Sequence, residues 1–259
     1  MLTRRDFLKL TGAGLIAAAL SGMVSVSAQE AASAPLIYRG SARHRYVALT
    51  YDDCNYVKRL QVLEKLLAQY SDFKITLFPV GTALLSNQVK DPGIWKRFHD
   101  EGHEIGYHSW SHINFGVMSP EAALNDYAKW FDALTQVMGF TPTVRFGRPT
   151  FGSLAPSFDA VCREHKLVNT MWSTGWGGPS DDVIKYTVPK LRNGDIILMH
   201  SDRLIEDIAT SEKAYPWMKE NDWTTVTLSK LYDDLLLEQN QSMGCDANNG
   251  PSLTRTCIE

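Results

Sequence analysis

Residues 46–70, YVALTYDDCNYVKRLQVLEKLLAQY, set a short apolar run directly before an amphipathic stretch. The run Tyr46–Thr50 predicts a buried strand, and Val57–Tyr70, with leucines at helical spacing, predicts a helix. The same alternation continues along the chain. Further strands are predicted at Ile75–Val80, Glu104–Tyr107, Val144–Phe146, Val168–Trp172 and Asp195–Met199, and further helices at Pro92–Glu101, Pro120–Met138, Ala155–His165, 181–191 and Leu228–Leu237. This order predicts an α/β fold with a largely parallel sheet, in which ligands bind where the strands end.

Composition and charge narrow the class of protein. The chain has 259 residues, of which 44% are hydrophobic, and a net charge of -3. These numbers fit one large domain, which we place at 45–237, and they also allow two small domains. Charges of both signs are interspersed and no block of Lys and Arg suits a polyanion. We therefore expect no nucleic-acid partner.

The first 28 residues have the order of regions that is typical of a secretory signal peptide. Arg4 and Arg5 precede an apolar run at 14–20, and Val26-Ser27-Ala28 offers a small-residue cleavage site. The run is shorter than the roughly 20 residues that span a bilayer, so we expect no stable membrane insertion after cleavage. The arginine pair resembles a bacterial twin-arginine signal, which implies export to the periplasm or the cell exterior.

Residues 29–44 are predicted to be a linker, and residues 238–259 a polar C-terminal tail. Cys245 and Cys257 lie in this tail, where a disulfide between them is plausible in an exported protein. Cys162 lies in a predicted helix and is expected to be a small buried residue. Cys54 and Cys162 have no zinc-ribbon spacing.

Two adjacent carboxylates, Asp52 and Asp53, follow the first predicted strand. Carboxylates in this position either cap a helix beside a solvated neighbour or face a ligand at the end of the sheet. We expect the strand to end near Tyr51, because successive side chains in a continued strand point to opposite faces.

His108 and His112 follow a later strand with the spacing HSWSH. Two histidines four residues apart share one face if the loop turns helically, which suits one metal ion, although unrelated loop histidines have the same spacing. A carboxylate after one strand and a histidine pair after another can meet in space. Asp53, His108 and His112 would then form a metal site with positions left for water and substrate.

Arg148 and His200 also follow predicted strands. The Arg148 guanidinium either pairs with a carboxylate of the first motif or lies solvated in a turn next to Pro149. His200 is delivered to the same end of the sheet by the apolar strand before it. A lone histidine at a strand end is more often structural than catalytic.

Together and in this order, the motifs resemble carbohydrate esterase family 4, the NodB-like polysaccharide deacetylases. Thr50-Tyr51-Asp52-Asp53-Cys54 is similar to the family's T-F-D-D-G, and His108-Ser109-Trp110-Ser111-His112 to its H-[ST]-x-x-H. Arg148-Pro149-Thr150-Phe151-Gly152 is similar to R-P-P-Y-G, and Leu198-Met199-His200 to L-x-H. The resemblance extends from about Arg45 to about Leu237. It implies a distorted (β/α) barrel with fewer than eight strands.

The resemblance also implies an activity, the metal-dependent removal of acetyl groups from N-acetylated sugars in a polysaccharide or oligosaccharide. Asp53, His108 and His112 would hold one divalent metal ion, commonly zinc, with cobalt, nickel or manganese as alternatives for nitrogen and oxygen ligands. Asp52 would act as general base, and Arg148 would orient it and keep its pKa low. The partner would be an acetylated glycan. The sequence leaves open which glycan this is and what oligomeric state the protein has.

Two further roles follow from the resemblance. The backbone N–H of Phe151 would hold the tetrahedral oxyanion, and His200 would protonate the departing amine. Trp176, flanked by glycines, would stack on a sugar ring in an open groove. For Trp172, stacking on sugar and core packing are equally good interpretations.

The sequence departs from the family pattern in two places. Cys54 stands where the family has glycine, so the loop cannot use the freedom of glycine to adopt a positive φ. The segment Met171–Pro179 contains no carboxylate, whereas the family has there the acid thought to tune the catalytic histidine. Asp181, Asp182 or Asp202 are the candidate replacements. This departure favours one alternative, a carbohydrate-binding pseudoenzyme that keeps the fold and the metal. A second alternative is a hydrolase of small amides or imides on the same fold, against which the intact metal triad and the predicted export argue.

Overall fold

The computed structural model describes residues 33–201 and 205–242. The predicted signal peptide 1–28, Asp202 and the cysteines Cys245 and Cys257 lie outside the described residues. Within those residues, no helix is long and apolar enough to cross a membrane.

Strands and helices alternate along the described chain. The strands are β1 (Leu36–Ile37), β2 (Tyr46–Asp53), β3 (Thr76–Pro79), β4 (Glu104–Ile105), β5 (Phe146–Gly147), β6 (Val168–Thr170), β7 (Thr174–Gly175), β8 (Ile196–His200) and β9 (Thr224–Thr225). The helices are α1 (Val57–Gln69), α2 (Gly81–Lys90), α3 (Ile94–Asp100), α4 (Pro120–Met138), α5 (Pro156–Glu164), α6 (Ile205–Glu220) and α7 (Leu228–Ser242). Short helical turns occupy Phe115–Val117, Thr150–Gly152 and the stretch from Ser180 to Lys190.

The named strands pair in parallel in two sheets. The larger sheet has the order β4-β3-β2-β8-β7, with β9 paired to the start of β2, and the smaller has the order β1-β6-β5. Isolated bridges join them at Tyr107 to Gly147 and at Arg39 to Asp195. Several of the strands have only two residues, which fits a distorted barrel rather than a regular one. The predicted α/β fold with parallel strands is confirmed.

The core forms where the predicted apolar faces meet. Helix α1 buries its leucines, as the helical spacing predicts, and β2 is buried over nearly its whole length. Helix α4 begins and ends where predicted: the Ser119 side chain accepts a hydrogen bond from the Ala122 N–H, and Gly139 ends the helix with a left-handed φ of 75°. The first and last residues of α4 are therefore set by local capping interactions.

Two helices, α2 and α6, were not predicted. The buried face of α2 is formed by Gly81, Ala83, Leu84 and Asn87, and that of α6 includes Asp207, Thr210 and Ser211 beside its apolar residues. Small and polar residues on a buried face give no apolar periodicity. Pro216 lies inside α6, where proline normally indicates a helix end.

Part of the predicted linker 29–44 packs onto the sheets. Strand β1 pairs with β6, and the Ala34 N–H donates to Asp159 Oδ1 at 2.9 Å. At the other end, α7 continues to Ser242, five residues beyond the predicted domain limit at Leu237. Ordered backbone therefore extends past both predicted limits of the main domain.

Candidate metal and hydrolytic site

Most of the predicted site residues converge on one pocket at the carboxyl ends of the strands. A cavity of about 200 Å³ is lined by Asp52, Asp53, His108, His112, Phe151, Trp172 and His200, among others. Strand β2 supplies the two carboxylates and β8 supplies His200, and the loops after β4, β5 and β6 supply the remainder. Parallel strands bring their carboxyl ends to one edge, which explains why residues so distant in sequence meet here.

Strand β2 does not end near Tyr51 as predicted but continues through Asp53. Both carboxylates nevertheless approach His108: its Nε2 lies 3.8 Å from Asp52 Oδ2 and 3.5 Å from Asp53 Oδ1. Asp53 and Cys54 have left-handed φ values of 69° and 60°, and this change of backbone direction interrupts the strand alternation. Cys54 thus adopts a positive φ without being glycine.

Asp53, His108 and His112 provide ligand atoms that all lie within 4.8 Å of one another. His112 Nε2 is 3.0 Å from Asp53 Oδ1. This oxygen is buried and has no well-formed hydrogen bond within the described part of the chain. A carboxylate oxygen and two imidazole nitrogens that converge in this way fit a divalent cation such as zinc.

The orientation of His108 is fixed by its second ring nitrogen. His108 Nδ1 donates to the Arg148 carbonyl oxygen at 2.8 Å, so Nε2 is the ring nitrogen that faces the carboxylates and is available to a metal. The side chain is almost completely buried. A histidine held in this tautomer is prepared to bind a metal.

Asp126 of α4 holds the loop that carries both histidines. Its carboxylate accepts from the Tyr107 hydroxyl at 2.6 Å, the Ser109 hydroxyl at 3.1 Å and the Trp110 N–H at 2.7 Å. The first turn of α2 also supports the loop, because the Gly81 N–H donates to the Ser109 carbonyl at 3.0 Å. A Cβ on Gly81 would lie 2.4 Å from the Trp110 ring, so glycine is required there.

The electrostatics of the site favour an ionised Asp53. Burial by itself raises the pKa of the Asp53 carboxyl, but contacts with His108 and His112 outweigh it and lower the pKa well below its ordinary value. For His108 the effects are opposite in sign. Burial lowers the pKa of His108, but the nearby carboxylates of Asp52 and Asp53 outweigh burial, and the pKa is raised above its ordinary value. A metal ligand must be the ionised carboxylate, which Asp53 is at neutral pH.

Arg148 pairs with Asp52, one of the two interpretations of this residue. Its guanidinium is fully buried and donates to Asp52 Oδ1 at 2.8 Å and Thr50 Oγ1 at 2.6 Å. It also donates to the carbonyl oxygens of Thr170 at 3.1 Å and Met171 at 3.2 Å. The guanidinium therefore fixes one oxygen of Asp52 and leaves the other toward the pocket.

His200 lies at the end of β8 and lines the pocket. Its backbone N–H donates to Asp207 Oδ2 at 2.7 Å, and its Nδ1 lies 4.0 Å from the same oxygen. Asp181, in contrast, is exposed and pairs with Lys213 at 2.6 Å, and Asp182 is exposed as well. Asp207 was not among the candidate acids, because the helix that carries it was not predicted.

The aromatic residues differ from expectation. Trp176 is fully buried, so the prediction that it stacks on a sugar in an open groove is wrong; the flanking glycines do not expose it, because the ring packs into the main core. Phe151 lines the pocket, is 63% exposed and has a left-handed φ of 58°. Trp172 is half-buried and forms part of the pocket wall.

The fold and site define an α/β protein with a candidate Asp-His-His metal centre beside a carboxylate held by arginine. Residues 39–170 match the family described as polysaccharide deacetylase. A peptidoglycan-N-acetylglucosamine deacetylase of Bacillus cereus is 30% identical over 205 residues, which cover 75% of this chain and 71% of that protein. The chain therefore belongs to the polysaccharide deacetylase family, which confirms the predicted family and hydrolase class.

Solved structures share the fold. The Bc1960 peptidoglycan N-acetylglucosamine deacetylase, solved with a hydroxamate ligand, is 27% identical with a TM-score of 0.67, and the match covers 76% of this chain and 92% of that one. BA3943 of Bacillus anthracis, described as a CE4 family pseudoenzyme, is 22% identical with a TM-score of 0.69 and coverages of 78% and 70%. The second likeness supports the fold alone.

Proposed function

We propose that the protein removes acetyl groups from N-acetylated sugars of a glycan, using one divalent metal ion held by Asp53, His108 and His112. The observation that carries this proposal is the convergence of these three ligands beside Asp52 in one pocket. Zinc is the favoured ion, and cobalt, nickel or manganese would suit the same nitrogen and oxygen ligands. A bound ion would polarise the acetyl carbonyl and acidify a water molecule.

Asp52 is the general base in this proposal. Arg148 engages Oδ1, so Oδ2 is left to accept the proton of the attacking water. The ion pair with the buried guanidinium, at 2.8 Å, fixes the orientation of the Asp52 carboxylate.

Phe151 and His200 act on the tetrahedral intermediate in this proposal. The backbone N–H of Phe151 stabilises the oxyanion, and the left-handed conformation of Phe151 beside the pocket supports this role. His200 protonates the amine nitrogen as the carbon–nitrogen bond breaks, because an amide anion is a very poor leaving group.

The substrate that we propose is a cell-wall or related N-acetylglucosamine glycan outside the cytoplasm. Relatives named as peptidoglycan-N-acetylglucosamine deacetylases support this choice, and so does the arginine pair of the signal-like N-terminus. Export by the twin-arginine route remains part of the proposal.

The test combines metal analysis with acetate release. Wild-type protein, stripped with a chelator and reloaded with zinc, should release acetate from N-acetylated chito-oligosaccharides or peptidoglycan. His112→Ala should lose bound metal and activity, whereas the matched control His99→Ala, which changes an exposed histidine, should lose neither. Protein that holds zinc, cobalt, nickel or manganese and releases no acetate from either glycan would contradict the proposed activity.

One alternative has a specific observation in its favour. The segment Met171–Pro179 contains no carboxylate, which supports a pseudoenzyme that binds metal and glycan without turnover. In that case the glycan binds to metal-loaded protein with no release of acetate, and the same assay separates the two functions.

A further inference from the structure

A buried acid lies beside His200, the histidine that delivers the proton in the proposed reaction. Asp207 is only 3% exposed, and its Oδ2 accepts the His200 N–H at 2.7 Å while lying 4.0 Å from His200 Nδ1. We propose that Asp207 is a positioning residue for His200, replacing the acid that the segment Met171–Pro179 does not contain. The inference rests on the proposed deacetylase function.

The position of Asp207 is set by packing. It lies in the first turn of α6, where the helix dipole favours a negative charge. One turn further on, the Ser211 hydroxyl donates to the Asp207 carbonyl at 2.9 Å and lies 2.7 Å from the Tyr51 hydroxyl. These contacts connect the first turns of α6 to β2. The backbone that carries the Asp207 carboxylate is therefore fixed relative to β2.

A carboxylate near Nδ1 determines which nitrogen of the imidazole transfers its proton to the substrate. It favours a proton on Nδ1 and directs the opposite nitrogen, Nε2, away from Asp207. As the tetrahedral intermediate collapses, Nε2 gives its proton to the amine nitrogen, which takes the electron pair of the breaking carbon–nitrogen bond. The neutral ring then keeps its Nδ1 proton toward Asp207. A separation of 4.0 Å suits this role, because catalytic hydrogen bonds are often long in the free enzyme and shorten with substrate.

Other charged groups near His200 have different tasks. Asp52 is its register partner on β2, but that carboxylate is engaged by Arg148. Asp53, His108 and His112 line the same pocket as the candidate metal ligands. Asp207 approaches from α6 and accepts the His200 backbone N–H.

The decisive variant is Asp207→Asn. The amide oxygen can still accept the His200 N–H, so the turn is preserved and only the charge is lost. Turnover of N-acetylated chito-oligosaccharides should fall by about 10²-fold with little change in KM. Hydrolysis of 4-nitrophenyl acetate should change by no more than about twofold, because its phenolate leaves without general acid catalysis.

Three controls separate positioning from a structural effect. Asp181→Asn, which neutralises an exposed acid, should leave both reactions and the metal content unchanged. In a His200→Gln background, Asp207→Asn should cause no further loss of amide hydrolysis, since the two residues act through one group. If Asp207→Asn does not fold, Asp207→Glu and Asp207→Gln give the same comparison, with the charged variant the more active on the amide.

Several results overturn the inference. They are full amide hydrolysis in Asp207→Asn, equal loss on the amide and the ester, and an additive loss in the His200→Gln background. If the wild-type protein deacetylates the glycan and Asp207→Asn is equally active, the inference is contradicted but the proposed function is not. Metal-loaded wild-type protein that hydrolyses no acetylated glycan contradicts the proposed function, and the inference falls with it.

Discussion

Asp52 and Asp53 are neighbours in sequence but have different surroundings in the pocket. Arg148 holds Asp52 at 2.8 Å, while His112 and His108 approach Asp53 at 3.0 and 3.5 Å. The left-handed backbone at Asp53 allows both side chains to face the site. Adjacent residues can therefore have separate tasks, one as base and the other as ligand.

We expect the two aspartates to respond differently to the same substitution. Asp52→Asn should retain metal and lose about 10²–10⁴-fold in turnover, because the amide cannot accept the proton of water. Asp53→Asn should first lower metal affinity, with activity partly restored at high metal concentration. Metal titration and initial rates on both variants check this. A full metal site in Asp53→Asn and an empty one in Asp52→Asn would reverse the assignment.

At the scale of elements, Arg148 connects the two sheets. It follows β5 in the smaller sheet and donates to Thr50 and Asp52 of β2, and to the Thr170 carbonyl of β6. A buried guanidinium with four acceptors is both an electrostatic partner and a structural link. Its removal leaves a buried carboxylate without its counter-charge.

Arg148→Met should reduce the free energy of unfolding by about 3–5 kcal/mol, the usual result of breaking a buried ion pair by removing one partner. Urea unfolding at neutral pH measures the loss. Adding Asp52→Asn to Arg148→Met should recover part of the lost stability, because a neutral amide then replaces the carboxylate that has no counter-charge. An additive loss in the double variant would show that charge pairing is not the cause.

Helix α4 is the element that positions the histidine loop through Asp126, and its first turn depends on Ser119. Ser119→Ala should reduce the free energy of unfolding by about 1 kcal/mol, since the Ala122 N–H loses its side-chain acceptor. Ser119→Asp keeps an acceptor oxygen and should restore stability. Equal stability of Ser119→Ala and wild type in denaturant unfolding would argue against this cap.

At the scale of the whole molecule, His103 should make stability depend on pH. Its side chain is buried, and Nδ1 accepts the Ile75 N–H at 3.3 Å. Burial, with a smaller effect from Lys74, lowers the pKa of His103 from 6.5 to about 4. The unfolded chain therefore binds a proton below about pH 6.5 that the folded protein excludes until about pH 4, so stability falls as pH falls through this range.

The free energy of unfolding lost through His103 should reach about 3 kcal/mol near pH 4. The variant His103→Gln should show a flatter dependence of unfolding free energy on pH between about 6.5 and 4, measured by urea titration. His99→Gln, at an exposed histidine, is the matched control and should follow wild type. Parallel curves for His103→Gln and wild type would exclude this linkage.

The proposed export route concerns the whole chain, and in that proposal export depends on Arg4 and Arg5. Replacing both with lysine should leave the protein in the cytoplasm, because the twin-arginine resemblance rests on this pair. Cell fractionation of the bacterial host, with the wild-type leader as control, measures the result. Unchanged export would indicate the general secretion route.

The sequence by itself determined the α/β class, the family and most of the residues of the pocket. Apolar runs of strand length and helical spacings predicted most elements, because they reflect burial at each position. Ser119 and Gly139 also predicted both ends of α4, since capping is local chemistry. The order of the motifs around Asp53, His108 and Arg148 predicted the site, because parallel strands bring their ends together.

Only the tertiary structure decided the contacts that depend on packing between distant elements. The burial of Trp176 and the support of the histidine loop by Asp126 both depend on contacts between residues far apart in the chain. Asp207 belongs to this group, because its helix buries polar residues and gives no apolar pattern to read. A sequence pattern records which face is apolar, whereas the partner of a buried polar group is fixed only when the elements pack.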